Sequence, residues 1–122
     1  MERLFINTRD ELHIIDLDDI LYLRASGNYT DFHFTDGQVK SEIQPLSHFQ
    51  ASIASLYTSC PNPFYRLGRS HLINTARLTS INLQKEQLTL SGSPPLKLSF
   101  SKRLLKPLKE YMMEKHGKNL QT

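Results

Sequence analysis

Tyr65-Arg66-Leu67-Gly68-Arg69-Ser70-His71 sets two arginines, a serine and a histidine between apolar residues at Phe64 and Leu72-Ile73. These residue types can read nucleic acid. An arginine fork can bond guanine O6 and N7 together. Ser70 and nearby backbone N–H groups suit phosphate oxygens. Gly68 allows a positive φ or a close backbone approach. A surface arginine bound to a carboxylate of the acidic N-terminal half is the structural alternative, and Arg66 fits it better than Arg69. Ser26-Gly27-Asn28-Tyr29-Thr30 is a polar turn running into a strand. Asn28 and Tyr29 can hydrogen-bond phosphates or base edges there, or Gly27-Asn28 can simply make the turn. Ser99-Phe100-Ser101-Lys102-Arg103 opens a helix. Free N–H groups at a helix start favour an anion, and Lys102 and Arg103 add charge. Two cations there oppose the helix dipole, a small penalty that phosphate contact explains. Snorkelling surface cations are the alternative.

Other chemistries lack their residues. His13, His33, His48, His71 and His116 are scattered, and none stands with Cys, Asp or Glu at metal-ligand spacing. Cys60 has no nucleophile signature around it. Five glycines are spread singly, so no glycine-rich phosphate loop exists. Asp18-Asp19 lie adjacent, where strand side chains point to opposite faces. The expectation is no catalysis, no cofactor and no metal.

The elements that position these residues follow from periodicity. Glu11–Asp16 and the apolar Ile20–Ala25 read as strands, separated by the acidic break Asp16-Leu17-Asp18-Asp19. Ile20–Ala25 suits burial on both faces or a sharp twist. After the Ser26-Gly27-Asn28 turn, Tyr29–Phe34 alternates, with Thr30, Phe32 and Phe34 on one face. Asp36-Gly37 is a hairpin signal, and Gln38–Ile43 is its return strand. Leu46, Phe49, Ile53 and Leu56 form one helical stripe, with Pro45 in the first turn. The loop Ser59–Pro63 follows it. Strands resume at Phe64–Leu67, Leu72-Ile73, Leu78–Leu83, Gln87–Leu90 and Leu96–Phe100. Leu104, Leu108, Tyr111 and Met112 mark a last helix to about His116, with Ser101 as N-cap and Gly117 as stop. Pro107 removes a hydrogen bond, so an irregular first turn or a kink is expected. Residues 117–122 are expected to be a flexible tail.

The chain of 122 residues suits one domain, with 39% hydrophobic and 22% charged residues as in soluble folds. It lacks an apolar run of about 18 residues, so no membrane span is expected. The N-terminal apolar run is too short for a signal peptide. One cysteine excludes an internal disulfide, and the cytoplasm is the expected location. Net charge is only +3, but it is polarised. Residues 1–44 carry four basic against nine acidic groups, a net of −5; residues 97–122 carry seven against two, a net of +5. A basic region attracts a polyanion, although a solvated lysine-rich face has the same composition.

Taken together, Ile20-Leu21-Tyr22-Leu23-Arg24-Ala25-Ser26-Gly27-Asn28-Tyr29-Thr30, Phe64-Tyr65-Arg66-Leu67-Gly68-Arg69-Ser70-His71-Leu72-Ile73-Asn74 and Leu98-Ser99-Phe100-Ser101-Lys102-Arg103 resemble the LytTR family of DNA-binding domains. The resemblance runs from about Leu4 to Met112. It implies a mostly β fold with two helices, an elongated stack of short antiparallel β-sheets. It implies a transcription regulator that places loops in successive major grooves of double-stranded DNA, often as the output domain of a bacterial two-component response regulator. Paired direct-repeat half-sites are then the targets, with a monomer in solution and a dimer on DNA. The implied contacts fall at Asn28, Tyr29, Arg66, Arg69, Ser70, His71, Ser101, Lys102 and Arg103. Gly68 departs from the histidine usual in the family. These residues hold no receiver domain, so a free-standing regulator or a piece of a longer one is expected, with no phosphorylation switch within them. The competing readings are a protein-interaction module built on sheet edges and a single-stranded nucleic-acid binder using Tyr29 and Phe34.

Overall fold

The computed structural model describes residues 2–116. Ten strands and two helices build three antiparallel sheets. Strands β1 (Arg3–Asn7) and β2 (Leu12–Asp16) form a hairpin. Strands β3 (Ile20–Ser26), β4 (Tyr29–Phe34), β5 (Val39–Ile43), β6 (Phe64–Leu67) and β7 (His71–Asn74) form a central sheet in the order β5-β4-β3-β7-β6. Strands β8 (Leu78–Asn82), β9 (Gln87–Leu90) and β10 (Leu96–Ser99) form the third sheet. Helix α1 (Leu46–Ala54) follows β5, and α2 (Lys102–His116) follows β10.

The central sheet is covered on both faces. On one, Ile20, Leu23, Phe32 and Leu72 pack with Leu4 and Ile15 of the hairpin and with Leu46, Phe49 and Ile53 of α1. On the other, Leu21, Tyr22, Leu67 and Ile73 pack with Leu88, Leu90, Leu105 and Leu108. The register slips between Ile20 and Tyr22, so the neighbours Leu21 and Tyr22 both serve the second core. The continuous apolar run of β3 is therefore the signature of a strand buried on both sides.

Two turns match their sequence signals. Gly27 at φ +61° joins β3 to β4, with Ser26 opposite Tyr29. Gly37 at φ +90° closes the β4–β5 hairpin, where Asp36 accepts from the Gln38 N–H at 3.0 Å.

Several expectations need correction. β1 carries no alternating strand pattern, because its apolar residues Leu4, Phe5 and Ile6 are consecutive; pairing with β2 makes it a strand. Pro45 lies at the N-cap position of α1, outside the helix proper. Leu56 lies past the end of α1 yet still packs on the core. In α2 the fully buried pair is Leu105 and Leu108, with Leu104, Tyr111 and Met112 only partly covered. Helix α2 runs unbroken through Pro107. Pro107 has no N–H to give the Arg103 carbonyl, and the first turn is shared, with the Ser101 carbonyl accepting from both Leu104 and Leu105 N–H at 3.0 Å. The expected stop at Gly117 and the tail lie outside the described residues.

Candidate nucleic-acid interface

The three polar segments meet at one end of the central sheet. Strands β3 and β7 pair with Arg24 opposite His71, and the Ala25 N–H donates to the Ser70 carbonyl at 2.8 Å. The β3–β4 turn and the β6–β7 turn therefore stand side by side. The start of α2 joins them through two contacts. A Cβ added to Gly68 would lie 3.2 Å from Leu104 Cδ1. The Phe100 ring meets the His71 ring edge to face, with centroids 4.8 Å apart.

Gly68 has the expected positive φ, +64°, and the Leu104 side chain of α2 stands where a Cβ would crowd it. This glycine lets the β6–β7 chain reverse tightly enough to project Arg69. Asn28, Tyr29, Arg69, Ser101, Lys102 and Arg103 are exposed. Among the described residues, Arg69, Lys102 and Arg103 have no ion pair or side-chain hydrogen bond, so their charge faces solvent.

Arg66 behaves differently. It donates to Gln50 Oε1 of α1 and to the Arg69 carbonyl, both at 2.6 Å, and its Nε is buried without a partner. The carboxylate partner considered from the sequence is thus replaced by an amide and a backbone carbonyl. Arg66 braces the turn that carries Arg69. Ser70 Oγ and His71 Nδ1 share a hydrogen bond of 2.9 Å. His71 itself is half-buried between the Tyr22 and Phe100 rings.

Burial, with Arg24 and His33 nearby, pushes the His71 pKa down to about 4 from an ordinary 6.5. His71 is therefore neutral near pH 7 and supports the turn by ring packing. The unfolded chain binds the proton first, so stability conferred by neutral His71 is intact above pH 6.5 and falls away as pH drops toward about 4. Burial lowers His33 in the same sense, while hydrogen bonds to Glu42 and Glu11 raise His13 and oppose the trend. Urea midpoints measured across this window are expected to decline less steeply in His71→Gln than in the parent. Equal slopes would remove His71 as a source of acid sensitivity.

Sequence reading missed two residues here. Gln50 carries no signal of its own; only the fold brings it to Arg66. Glu86 lies in the β8–β9 turn at φ +53°, and its carboxylate accepts the Lys102 N–H at 2.7 Å. The N-terminus of α2 is thus capped by an acidic group from the β8–β9 turn of the third sheet, rather than by the Ser101 hydroxyl or left free for an anion. The dipole argument contained the clue: a helix starting Lys102-Arg103 needs an acid from elsewhere.

The family model of the LytTr DNA-binding domain matches residues 10–113. The chain belongs to the LytTR family of DNA-binding domains. A solved structure of the LytTr DNA-binding domain of a Bacillus cereus protein, described as a methyl-accepting/DNA response regulator, has the same fold. The TM-score is 0.63 at 16% identity, over 92% of this chain and 97% of that one. None of the curated proteins matches this chain. Among the described residues, no helix of this LytTR domain is long and apolar enough to cross a membrane.

Proposed function

We propose that this LytTR domain is a sequence-specific regulator of transcription that binds double-stranded DNA by setting its turns in successive major grooves. The observation that carries the reading is the convergence of three polar segments at one sheet end, with Arg69, Lys102 and Arg103 unneutralised among the described residues. Arg69 reads a guanine edge. Asn28 and Tyr29 hold an adjoining groove or backbone. Ser101, Lys102 and Arg103 lie along phosphates, Ser70 lies beside Arg69, and Arg66 and His71 hold the shape of the turn. The working state is two protomers on direct-repeat half-sites in the cytoplasm, monomeric off DNA, acting by binding rather than catalysis.

Selection from random duplex DNA tests this directly. A recurrent motif should emerge, repeated at helical-turn spacing, and duplex competitor should displace it better than single strands. Failure to enrich any motif would sink the specificity claim; preference for single strands would sink the groove-binding claim. Lys102→Ala separates the phosphate role from base reading. It is expected to weaken all sequences alike and lower the slope of log affinity against log salt by about one unit. A sequence-dependent loss would instead put Lys102 on a base.

A further inference from the structure

A cavity of about 790 Å³ lies on the far side of Tyr29, between the β1–β2 hairpin, β5 and α1. Phe5, Ile43 and Phe49 give it apolar walls, and His13, Tyr29 and Glu42 supply polar groups. Glu42 stands out because it is a carboxylate only 4% exposed. One of its oxygens, Oε2, lies 2.8 Å from His13 Nδ1. The other has no hydrogen bond to any described residue. That second oxygen opens to the cavity rather than being sealed in the core, so it is available to accept a hydrogen bond from a ligand.

We propose that this cavity is a binding site for a small organic ammonium ion with an apolar body. The ammonium group bonds the free oxygen of Glu42, and the body lies against Phe5, Ile43 and Phe49. Charge favours a cation. Glu11 lies 3.3 Å from the other ring nitrogen of His13, so one imidazole is shared by two carboxylates. Even a protonated His13 leaves that trio net negative, and an anion is repelled. Shape favours an organic ligand over a bare metal ion. The described residues hold no cluster of three or more His, Cys, Asp or Glu arranged for metal, whereas Phe5 and Ile43 are 56% and 68% exposed. The volume is within the range of roughly 300–1,000 Å³ typical of small-molecule sites.

Titration of the full chain with phenethylammonium, phenethyl alcohol and 3-phenylpropionate tests the proposal by calorimetry and amide chemical shifts. Phenethylammonium should bind at least tenfold more tightly than either matched probe, with shifts centred on His13, Tyr29 and residues 41–44. Glu42→Gln should weaken the amine tenfold or more and leave the alcohol unchanged. Equal binding of amine and alcohol, an unaffected Glu42→Gln variant, or shifts centred elsewhere would each overturn the assignment. If Glu42→Gln does not fold, probe selectivity and shift mapping on the parent decide the matter. No DNA enters these measurements, so their outcome is independent of the DNA-binding reading.

Discussion

Arg69→Ala is expected to weaken binding to the selected duplex by about 1–3 kcal/mol, roughly 5- to 150-fold, and to broaden the motif at one base position. The size follows from what the guanidinium lacks in the free protein. Arg69 is exposed, with no side-chain hydrogen bond among the described residues. Its removal therefore costs little folding stability, and the loss should appear in affinity alone. The turn itself stays pinned by Arg66 on the Arg69 carbonyl and by the Ala25–Ser70 backbone bond. Arg69→Lys sharpens the test. Lysine keeps the charge but lacks the planar fork, so non-specific affinity and salt dependence should persist while base preference fades. Unchanged affinity for the selected motif in Arg69→Ala would show that Arg69 does not read a base.

Local chemistry was legible wherever one segment determined it. The Asp36-Gly37 hairpin, the Gly27-Asn28 turn and the stripe of α1 needed no partner to be recognised. Phe34 shares a strand face with Thr30 and Phe32, which points to core rather than a stacking platform, and it packs against the first core. The polar segments were readable as three separate basic or polar turns, but their meeting was not. It depends on β3 pairing with β7 across an intervening helix and three strands, which no local pattern encodes. Arg66 shows the same limit. Its structural role was readable from its place in an apolar strand, whereas Gln50 as partner requires α1 to pack beside β6. The cap from Glu86 was hidden for a related reason: residues 86 and 102 come together only once β9 and β10 have paired.

The largest expected loss of stability from a polar residue is at Asn74, the end of β7 away from the candidate interface. It is 2% exposed. Its amide donates to the Ile20 carbonyl at 2.8 Å and, at 3.4 Å, to that of Leu17, and its Oδ1 caps the following turn by accepting the Ala76 N–H at 3.1 Å. One side chain thus ties the start of β3 to the end of β7. Asn74→Ala withdraws the donor from buried carbonyls and deletes the cap. Its expected cost is about 2–4 kcal/mol, combining roughly 1–3 for an unsatisfied buried group with about 1 for a cap. Asn74→Asp should be worse at pH 7 although it keeps the cap, because it turns a carboxylate oxygen toward the carbonyl oxygens that the amide had satisfied. Such a group is protonated more readily folded than unfolded. The Asp penalty should therefore grow as pH rises above the ordinary carboxylate range and shrink as pH falls into it. Urea midpoints of the three proteins at pH 7 and pH 4.5, each compared with the parent at the same pH, measure this, since the histidine contributions cancel. An Asp variant as stable as the parent at pH 7, or a penalty flat in pH, would mean that Asn74 is not the donor the geometry makes it. Where these variants remain folded, their motif preference should match the parent's, because the turn carrying Arg69 is anchored at the other end of β7 by Arg66 and Ser70.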